Sequence, residues 1–392
     1  MTIQASKMLF EQTTDPEVIR FTHLQNSATW KSKYLTAEEY AQREQILGSS
    51  EIALKGSSPS VRRKLKEDAD YLGLKYFVFK DLSLPDTGKT SQIVSSCETL
   101  NRVAWCIHPE SHGEIEPVLS VCIGGVYTIP EHRGKKFAQL MITQLNEYYD
   151  KLSQRPGASS FLKWKFMFLY SEVGDYYEKF GYVSEHVPLH SITQLDDLYK
   201  LYCEDSKGRY LSFDDYEDLV SLQKTQFKAG LKSLHSVQGK SYVFTVEPSL
   251  DIYKWFQHRD VFLSQKFQDK PPSKFGFRLE DDSHIIWHHH WLERSLYVLK
   301  VYIKGDHEKE SVLQKLLGAC VKEAKAAGLS HIEFWDEEIN ADAYPKLFKL
   351  LEKVEDGSNV YAENGSRSAV RVPSGLKEEE FTWANNTKFC WF

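Results

Sequence analysis

The segment from Val118 to Leu152 constrains the fold more than any other part of the chain. It opens with a β-rich run that ends at Thr128 and that a glycine pair, Gly124-Gly125, interrupts. Beyond a short turn the apolar residues follow the helix period and share one stripe: Phe137, Leu140, Met141, Leu145, Tyr148 and Leu152. A strand that leads directly into an amphipathic helix predicts a mixed α/β fold.

Strand-like runs flank this segment and predict a sheet around it. The runs are Met8 to Glu11, Lys75 to Lys80, Ile93 to Ile107 and Lys163 to Tyr170. The long third run is mixed in polarity, which is typical of an antiparallel sheet with one solvated side. Asp15, followed by Pro16, predicts the start of one helix, and a second is expected over Ala37 to Leu47. The charged segment from Val61 to Asp70 is interpreted as a solvated face or a mobile loop.

The second half of the chain repeats this order of elements. It has three strand-like runs: Lys274 to Glu280, His284 to Leu292 and Ser295 to Ile303. A helix from Lys309 to Ala327 and a strand from Ser330 to Trp335 follow them. Between Val187 and Tyr216 the chain becomes polar and is interpreted as loop-rich, which predicts a domain boundary near Cys203. We therefore expect two domains of similar architecture, at residues 1–203 and 204–392.

Composition narrows the functional classes. The chain has 49 basic and 55 acidic residues and a formal net charge of -6, whereas a protein that coats nucleic acid needs a basic surface. No apolar run approaches the ~20 residues of a membrane span. The N-terminus also lacks the apolar core of a secretory signal. Six cysteines without a CxxC pair fit a reduced intracellular compartment, so we expect a cytoplasmic protein without a nucleic-acid or membrane partner.

The turn between Thr128 and the following helix is a candidate phosphate site. Arg133-Gly134 leads into the helix, whose first backbone N–H groups have no partner within the helix itself. The helix dipole adds roughly half a positive charge at this end, and Lys135 and Lys136 add further positive charge. A pyrophosphate suits such a turn. An ordinary strand–turn–helix joint with a basic surface is the other interpretation.

This turn resembles a motif of the Gcn5-related N-acetyltransferase (GNAT) superfamily. The segment YTIPEHRGKKFA, Tyr127 to Ala138, is similar to the acyl-CoA loop of that family, Arg/Gln-x-x-Gly-x-Gly/Ala. Arg133 and Ala138 match the first and last positions of the pattern. Lys136 stands where the family usually has its middle glycine, so the sequence departs from the pattern there. The backbone N–H that would bind the ligand is nevertheless retained.

A second motif supports the first. The segment FLYSEVGDYYEKFGYV, Phe168 to Val183, resembles the later strand–helix segment of the family. In that segment a tyrosine, here Tyr177, lies four residues before a glycine, here Gly181. The chain as a whole, with its ending FTWANNTKFCWF, is similar to the fungal lysine N-acetyltransferases. Those are two-domain enzymes that acetylate the side-chain amine of free lysine.

The resemblance implies a fold, an activity and a co-substrate. The fold would be a GNAT fold, mixed α/β, in which helices flank a central and mostly antiparallel sheet. A second, degenerate GNAT-like domain would contribute to the substrate site. The activity would be direct transfer of acetyl from acetyl-CoA to the N6 amine of free L-lysine in a ternary complex, as in lysine catabolism. The alternatives are an acetyltransferase for a polyamine, an aminoglycoside or a protein lysine, and an inactive acyl-CoA-binding module.

The resemblance also implies roles for individual residues. Backbone groups of the strand before the loop hold the pantetheine in this family, and the loop holds the pyrophosphate. The cofactor-binding residues so implied are Val126, Tyr127, Thr128, Arg133, Gly134, Lys135, Lys136, Phe137 and Ala138. Tyr177 is the candidate acid for the leaving thiolate, because a phenol with a pKa of about 10 stays protonated at neutral pH. A packed aromatic side chain is the other interpretation of Tyr177.

The strand before the loop offers no proton acceptor for the amine. A lysine amine with a pKa of about 10.4 must lose a proton before it attacks. The run that ends at Thr128 contains no carboxylate, since Glu116 lies before it and Glu131 after it. The apolar end of the chain leads to the hypothesis that the α-carboxylate of Phe392 accepts the proton, as in some two-domain relatives. A terminal strand that only seals the second domain is the alternative.

Three further features are interpreted without a catalytic role. The run His288-His289-His290 has no third metal ligand at a telling distance, so we expect a half-exposed strand and no metal site. Cys122 is expected to be a buried thiol. Asp306, Glu308 and Glu310 lie where the second half would need its own phosphate loop. Because these carboxylates would repel a pyrophosphate, we predict one cofactor per chain.

Overall fold

The computed structural model describes residues 7–202, 207–305 and 308–392. The chain divides into two compact units, each built from three stretches of sequence. The first unit comprises Met1–Ser184, Lys240–Phe244 and Ala369–Phe381, and the second comprises Glu185–Gly239, Thr245–Ser368 and Thr382–Phe392. The domain boundary predicted near Cys203 falls outside the described residues and stays a prediction.

Strands and helices alternate along the described chain. The strands are β1 Met8–Thr13, β2 Gly73–Asp81, β3 Ile93–Ile107, β4 Glu116–Thr128, β5 Phe166–Ser171, β6 Val183–Glu185, β7 Leu189–Ile192, β8 Gly208–Leu211, β9 Tyr242–Val246, β10 Gly276–Leu279, β11 His284–His290, β12 Ser295–Tyr302, β13 His331–Trp335, β14 Arg367–Arg371 and β15 Phe381–Trp383. The helices are α1 Pro16–Trp30, α2 Ala37–Gly48, α3 Pro59–Leu65, α4 Phe137–Gln154, α5 Ser160–Lys163, α6 Leu195–Tyr202, α7 Glu217–Gln238, α8 Leu250–Ser264, α9 Lys309–Ala326 and α10 Pro345–Val354. Among the described residues, no helix combines the length and the apolar character that crossing a bilayer requires.

A mixed sheet organises the first unit. Its strand order is β1-β2-β3-β4-β5-β14-β6, and β9 pairs with both β3 and β15. The strands from β1 to β4 pair antiparallel in succession, whereas β4 and β5 run parallel with α4 between them in the chain. The predicted fold class, a mixed α/β fold with a mostly antiparallel central sheet flanked by helices, is confirmed.

The core of the first unit lies between α4 and the sheet. All six residues of the predicted apolar stripe belong to this core: Phe137, Met141 and Leu145 are buried, and Leu140, Tyr148 and Leu152 pack against them half-buried. Leu119, Val121 and Ile123 of β4 face them. The alternation of side chains along β4 therefore directs every second residue toward α4.

The helices before β2 lie where the sequence predicts two of them and add a third. Asp15 caps α1 by accepting a hydrogen bond from the backbone N–H of Glu17 at 2.9 Å. Thr36 and Glu39 form a capping box at the start of α2. The charged segment from Val61 to Asp70 was interpreted as a solvated face or a mobile loop. It is a solvated face, since most of its charged residues are exposed, but it lies in α3 and a 3-10 turn and not in a loop. It is helical because Val61 and Leu65 pack against the core.

A six-stranded sheet organises the second unit, in the order β7-β13-β12-β11-β10-β8. The predicted strands β10 to β13 and the predicted helix α9 are all present. The segment from Val187 to Tyr216 is not loop-rich, however, because it contributes β7, α6 and β8. Three of its apolar residues, Ile192, Leu198 and Leu211, are fully buried. The burial of one such residue in each element stabilises regular structure in a segment whose polar composition suggested a loop.

The two units share one local architecture. In the first, β4, α4 and β5 form a strand–helix–strand crossover with a parallel strand pair, and β12, α9 and β13 do the same in the second. Each helix begins after a residue in the left-handed conformation, with φ of 61° at Lys136 and 58° at Glu308. The preceding strands each carry a bulge, at Gly125 in β4 and at Leu299 in β12. The repeated architecture predicted from element order is confirmed.

Substitution of Phe77 tests how much the core between α4 and the sheet contributes to stability. Its side chain is fully buried, and its ring stacks on Phe10 at 5.3 Å between centroids. We expect Phe77→Ala to lower the free energy of unfolding by about 3–5 kcal/mol, because the cavity can collapse only in part. Urea unfolding followed by circular dichroism measures the change. Leu9→Ala, at a 37% exposed residue of β1, is the control, and an equal loss in both variants would contradict this account.

Candidate active site

The turn between β4 and α4 is held in a conformation that favours glycine. A 3-10 turn from Pro130 to His132 follows β4, and Arg133 is extended. Gly134 has a φ of 77°, and no atom lies within 4 Å of the position that its Cβ would occupy. Lys136 has a φ of 61° and a ψ of 22°. A side chain in this conformation costs roughly 1–2 kcal/mol, and Lys136 therefore adopts a backbone conformation that glycine adopts without this cost.

The start of α4 presents unpaired amides next to positive charge. No side chain caps this helix in the described chain, and Lys136 contributes only its carbonyl, which accepts from the N–H of Leu140 at 3.1 Å. The N–H groups of Phe137 and Ala138 are therefore left for a ligand. Arg133 donates from Nε to the carbonyl of Thr128 at 3.1 Å, so its guanidinium is anchored at the edge of the turn. Such a turn can bind an anion.

Next to this turn, β4 separates from β5, the strand with which it pairs in parallel. The ladder between β4 and β5 ends at the pair Ile123–Leu169 in the described chain, although β4 continues to Thr128. Two residues of β4, Gly125 and Val126, lie opposite the single residue Cys97 of β3 and form the bulge. Buried residues of β4 give way to half-buried ones at this point. The edge of β4 that faced β5 is thus open for another hydrogen-bonding partner.

Tyr177 lies in the core beside this part of β4. It starts a 3-10 turn that Gly181 closes with a φ of 84°. Tyr177 and Phe137 belong to the same buried cluster, and Val126 packs against it. Burial, with the neighbouring Tyr176 second, raises the pKa of Tyr177 well above its ordinary value. The phenol therefore keeps its proton at any pH at which the protein works.

The predicted site residues fall into two groups. The nine predicted cofactor-binding residues belong to the first unit, three of them at the end of β4 and six from Arg133 to the first turn of α4. Tyr177 belongs to the core beside them. Phe392 belongs to the second unit, where its ring meets the edge of Trp255 at 5.8 Å. The apolar C-terminal segment packs into that unit, since Phe389 and Cys390 are fully buried. The catalytic role of Phe392 stays a prediction.

The sequence interpretation missed a carboxylate that lies against the bulge. Glu98 pairs with Gly124 across β3 and β4. A Cβ on Gly125 would come within 3.3 Å of the Glu98 Cγ. His23 of α1 places its Nε2 3.6 Å from a Glu98 carboxylate oxygen. Glu98 is the only acidic residue of β3, and this was the one feature of the sequence that could have identified it as a functional residue.

More polar side chains from α2 and β2 surround this pair. Arg43 and Glu44 of α2 form a buried ion pair through two hydrogen bonds. The ring of Tyr76 meets the edge of the His23 ring at 5.6 Å. The charge of Glu98 acts on the pKa of both Arg43 and Tyr76. One face of the first unit therefore carries a cluster of charged and polar groups around Glu98.

The corresponding turn of the second unit differs in charge and in how its strand edge is satisfied. Glu308, an exposed acidic residue, takes the position of Lys136 before α9. The N–H of Val301 in β12 donates to the carboxylate of Glu338 at 2.5 Å, and the same carboxylate pairs with Lys300 at 2.8 Å. This strand edge is thus filled by a side chain of its own unit. Of the other two acidic residues predicted to repel a pyrophosphate, Glu310 lies in the first turn of α9 and Asp306 lies outside the described residues.

The histidine run is buried rather than half-exposed, so that interpretation was wrong. His288 and His289 lie on opposite faces of β11, and each face is covered by a helix. The Nδ1 of His288 is 3.2 Å from Asp260 of α8, and the Nε2 of His289 is 3.1 Å from Glu323 of α9. Among residues 7–202, 207–305 and 308–392, no group of three or more His, Cys, Asp or Glu side chains could hold a metal ion. Cys122 is a fully buried thiol, as predicted.

Comparison with known proteins relates the whole chain to one family. Residues 195–392, about half of the chain, match the model of the LYC1 GNAT-like C-terminal domain. The chain is 52% identical over 392 residues to an uncharacterised protein of Saccharomyces cerevisiae, with 98% of both chains covered. It is 21% identical over 422 residues to a lysine acetyltransferase of Yarrowia lipolytica, with 98% of this chain and 100% of the relative covered.

Solved structures agree with this relation at the level of the fold. A GCN5-related N-acetyltransferase from Kribbella flavida superposes with a TM-score of 0.50 at 14% identity, over 93% of this chain and 72% of that chain. A probable N-acyltransferase from Enterococcus faecalis superposes with the same score at 10% identity and the same coverage. Together with the match to the family model and the relative from S. cerevisiae, these folds show that the chain belongs to the Gcn5-related N-acetyltransferase superfamily, as a member of its LYC1-like family.

Proposed function

We propose that this protein transfers the acetyl group of acetyl-CoA to the N6 amine of free L-lysine, by direct transfer in a ternary complex. The observation that carries the acetyltransferase assignment is the opened edge of β4 next to the uncapped start of α4. A donor that combines a pyrophosphate with an amide-bearing arm suits these two features together. The family assignment supports acetyl-CoA as this donor, and the cytoplasm is the expected compartment.

The proposal that lysine is the substrate rests on one relative. The relative from Y. lipolytica, which is named a lysine acetyltransferase, aligns over its entire length but with 21% identity. A role in lysine catabolism is part of this proposal. The alternatives within the same reaction class are a polyamine, an aminoglycoside or a protein lysine as the amine. They differ from lysine in charge and in the groups around the reacting nitrogen, so an amine panel separates them.

Each predicted cofactor residue has a proposed contact with the donor. The backbone of Val126, Tyr127 and Thr128 would pair with the pantetheine amides along the edge that β5 leaves open. The amides from Gly134 to Ala138 would hold the pyrophosphate at the positive end of the α4 dipole. The side chains of Arg133, Lys135 and Lys136 are exposed around this turn and would add charge. Phe137 would contribute its N–H, because its side chain is part of the core.

The reaction requires an amine lone pair, a polarised thioester and a proton for sulfur. The backbone N–H groups of β4 next to the bulge would donate to the thioester oxygen as negative charge develops there. Tyr177 would donate to the sulfur as the C–S bond breaks. Its raised pKa keeps the phenol protonated until the thiolate forms, and the proton that it then gives up is replaced from water.

An inactive acyl-CoA-binding module is the second candidate function. The second unit illustrates how such a site can lose its function, since Glu308 stands in the position of Lys136 and the carboxylate of Glu338 occupies the strand edge. The first unit keeps an open edge, basic side chains at the turn and a protonated tyrosine in the adjoining core. These retained features favour an enzyme over a binding module.

Thiol release from acetyl-CoA with an amine panel tests the proposed function. We expect kcat/KM for L-lysine to exceed the values for ornithine, spermidine and a lysine-containing peptide by at least about tenfold, which is about 1.4 kcal/mol in the transition state. A preference for spermidine or the peptide would move the assignment to that amine. No turnover with any amine, together with tight acetyl-CoA binding, would favour the binding module.

Calorimetry with acetyl-CoA tests the turn and its counterpart in the second unit. We expect one molecule bound per chain, because Glu308 and Glu338 oppose binding at the second turn. Lys136→Glu, which copies the second turn, should weaken binding at least about tenfold, since it places a negative charge next to the pyrophosphate. Lys136→Gly preserves the backbone shape and should bind within a few-fold of wild type. Two molecules bound to the wild-type chain would overturn this prediction.

Tyr177→Phe tests the proposed proton donor. The change removes only the hydroxyl, so the packing of the ring is kept. We expect kcat to fall about 100-fold, as is typical when a general acid is removed, at unchanged affinity for acetyl-CoA. Tyr176→Phe is the matched control, since its ring lies 5.3 Å from that of Tyr177, and it should stay within about twofold of wild type. Wild-type kcat in Tyr177→Phe would leave Tyr177 as a packed aromatic residue.

A further inference from the structure

We propose that Glu98, positioned by His23, binds the ammonium group of the amine substrate and accepts its proton. The inference rests on the proposed function, because it concerns the same reaction. It assigns a proton acceptor within the first unit, on β3. The one carboxylate of β4, Glu116, lies at the far end of that strand, and the part from Val118 to Thr128 has none. Four observations carry it: the register of the strands, the face on which Glu98 lies, the space next to it, and its unusual contact with His23.

The strand register brings Glu98 to the point where β4 and β5 separate. Ile123 is the last residue of β4 that pairs with β5, and Gly124 is the first beyond it. Gly124 is also the residue that pairs with Glu98 across β3 and β4. Glu98 therefore lies one strand away from the beginning of the open edge.

Glu98 and the proposed donor groups lie on opposite faces of the sheet. The neighbouring Cys97 belongs to the cluster that contains Tyr177 and Phe137, and so faces α4. Successive side chains of a strand alternate between faces, and Glu98 accordingly meets His23 of α1 on the other face. An amine held by Glu98 would thus approach the open edge from the side of α1 and α2. The acyl donor would be held on the side of α4, and the two substrates would meet at the edge of β4.

The glycine at the bulge leaves space next to the carboxylate. Gly125 has a φ of 58°, and a Cβ there would lie 3.3 Å from Cγ and 3.4 Å from Oε1 of Glu98. Any larger residue would cover the carboxylate and would also strain the backbone. Glu98 is the only half-buried residue between Ile93 and Arg102, all the others being buried, and its side chain is 17% exposed. A small cation can therefore reach it.

The contact between His23 and Glu98 leaves the Nε2 of His23 without a hydrogen bond. Their closest atoms, Nε2 and Oε2, are 3.6 Å apart, which is longer than a hydrogen bond. The His23 Nε2 is buried and has no hydrogen-bond partner among the described residues. An unpaired buried nitrogen is costly unless a ligand satisfies it. An ammonium group with three N–H donors would bind the carboxylate, and His23 would then share the proton that the amine gives up.

The proposed step balances in atoms and charge. The ammonium form of the substrate loses one proton to Glu98, which shares it with His23, and the nitrogen lone pair then attacks the thioester carbon. A C–N bond forms and the C–S bond breaks. The nitrogen loses its second proton to water, which compensates for the proton delivered to sulfur by Tyr177. One proton per turnover thus leaves through Glu98 to solvent.

The charges around the pair set its pH dependence. Burial lowers the pKa of His23, but the charge of Glu98 and, more weakly, that of Glu44 outweigh burial and the opposing charge of Arg43, so that the pKa is raised overall. Burial raises the pKa of Tyr76, which therefore stays neutral, and Glu44 keeps Arg43 charged against the effect of its burial. Protonated His23 competes with a bound ammonium for Glu98. Activity should therefore fall as the pH falls through the raised His23 pKa.

Glu98→Gln tests the proposal. We expect kcat/KM for the preferred amine to fall about 100-fold or more at pH 7, while the affinity for acetyl-CoA and the melting temperature stay close to wild type. The deficit should shrink at alkaline pH, where the amine loses its proton to solvent without help. Glu98→Asp keeps the carboxylate and should recover part of the activity. His23→Gln should move the acidic limb of the pH profile to lower pH, because the limb then reports the carboxylate alone.

Glu116→Gln is the matched control. Glu116 also pairs with a buried histidine, His108 at 3.1 Å, but at the opposite end of the β3–β4 ladder. Its kcat/KM should stay within about twofold of wild type. Appending residues after Phe392 tests the competing acceptor, and the proposal expects activity to be retained. Loss of turnover in that extended chain, with full activity in Glu98→Gln, would assign the role to Phe392 instead.

The outcomes also separate this proposal from the proposed function. A wild-type chain without turnover for any amine would refute the acetyltransferase itself. A wild-type chain that acetylates an amine, with Glu98→Gln within threefold of it at pH 7, would refute only the role of Glu98. A folded Glu98→Gln variant that has lost affinity for acetyl-CoA would also refute the role, since the substitution would then act on binding of the acetyl donor and not on the amine.

Discussion

The separation of β4 from β5 is the feature on which the rest of the first unit depends. Backbone N–H and C=O groups inside a protein need partners, and β4 has none from β5 beyond Ile123. The bulge at Gly125 lets β4 continue its ladder with β3 while its other edge stays open. A sheet that leaves such an edge is stabilised by a ligand able to complete the ladder. The position of this edge also determines which side chains of β3 and of the adjoining core can take part in the chemistry.

The second unit shows the same architecture with the edge already satisfied. There the N–H of Val301 is bonded to Glu338, and Lys300 neutralises that carboxylate in a buried pair. A ligand would have to displace a charge-assisted hydrogen bond and leave Lys300 without its partner, which is costly in a buried place. One substitution pattern, a carboxylate after β13 and a lysine on β12, thus suffices to close the site without changing the fold. The two units thus share the strand–helix–strand crossover and differ in the contacts at the edge of its first strand.

The sequence predicted the parts of the structure that periodicity controls. The stripe on α4, the strands β2 to β5 and the order of β10 to β13 follow from patterns of 3.6 and 2 residues, which reflect burial on one face. The burial of His288 and His289 was missed, because two helices cover β11 and supply partners for polar side chains. Glu98 was missed for another reason. Its place opposite Gly124 depends on strand register, which sequence spacing alone does not fix.

Lys136 shows why a motif is better compared by backbone conformation than by residue type. The middle glycine of the GNAT loop is replaced by lysine in the first unit and by glutamate, Glu308, in the second, yet both residues are left-handed. The strand–turn–helix joint imposes this conformation, and its other contacts offset the free-energy cost of a left-handed residue with a side chain in both units. Because Lys136 and Glu308 share this conformation, the property in which these two positions differ is their charge. The departure from the glycine pattern is therefore compatible with the proposed binding of a pyrophosphate at Lys136.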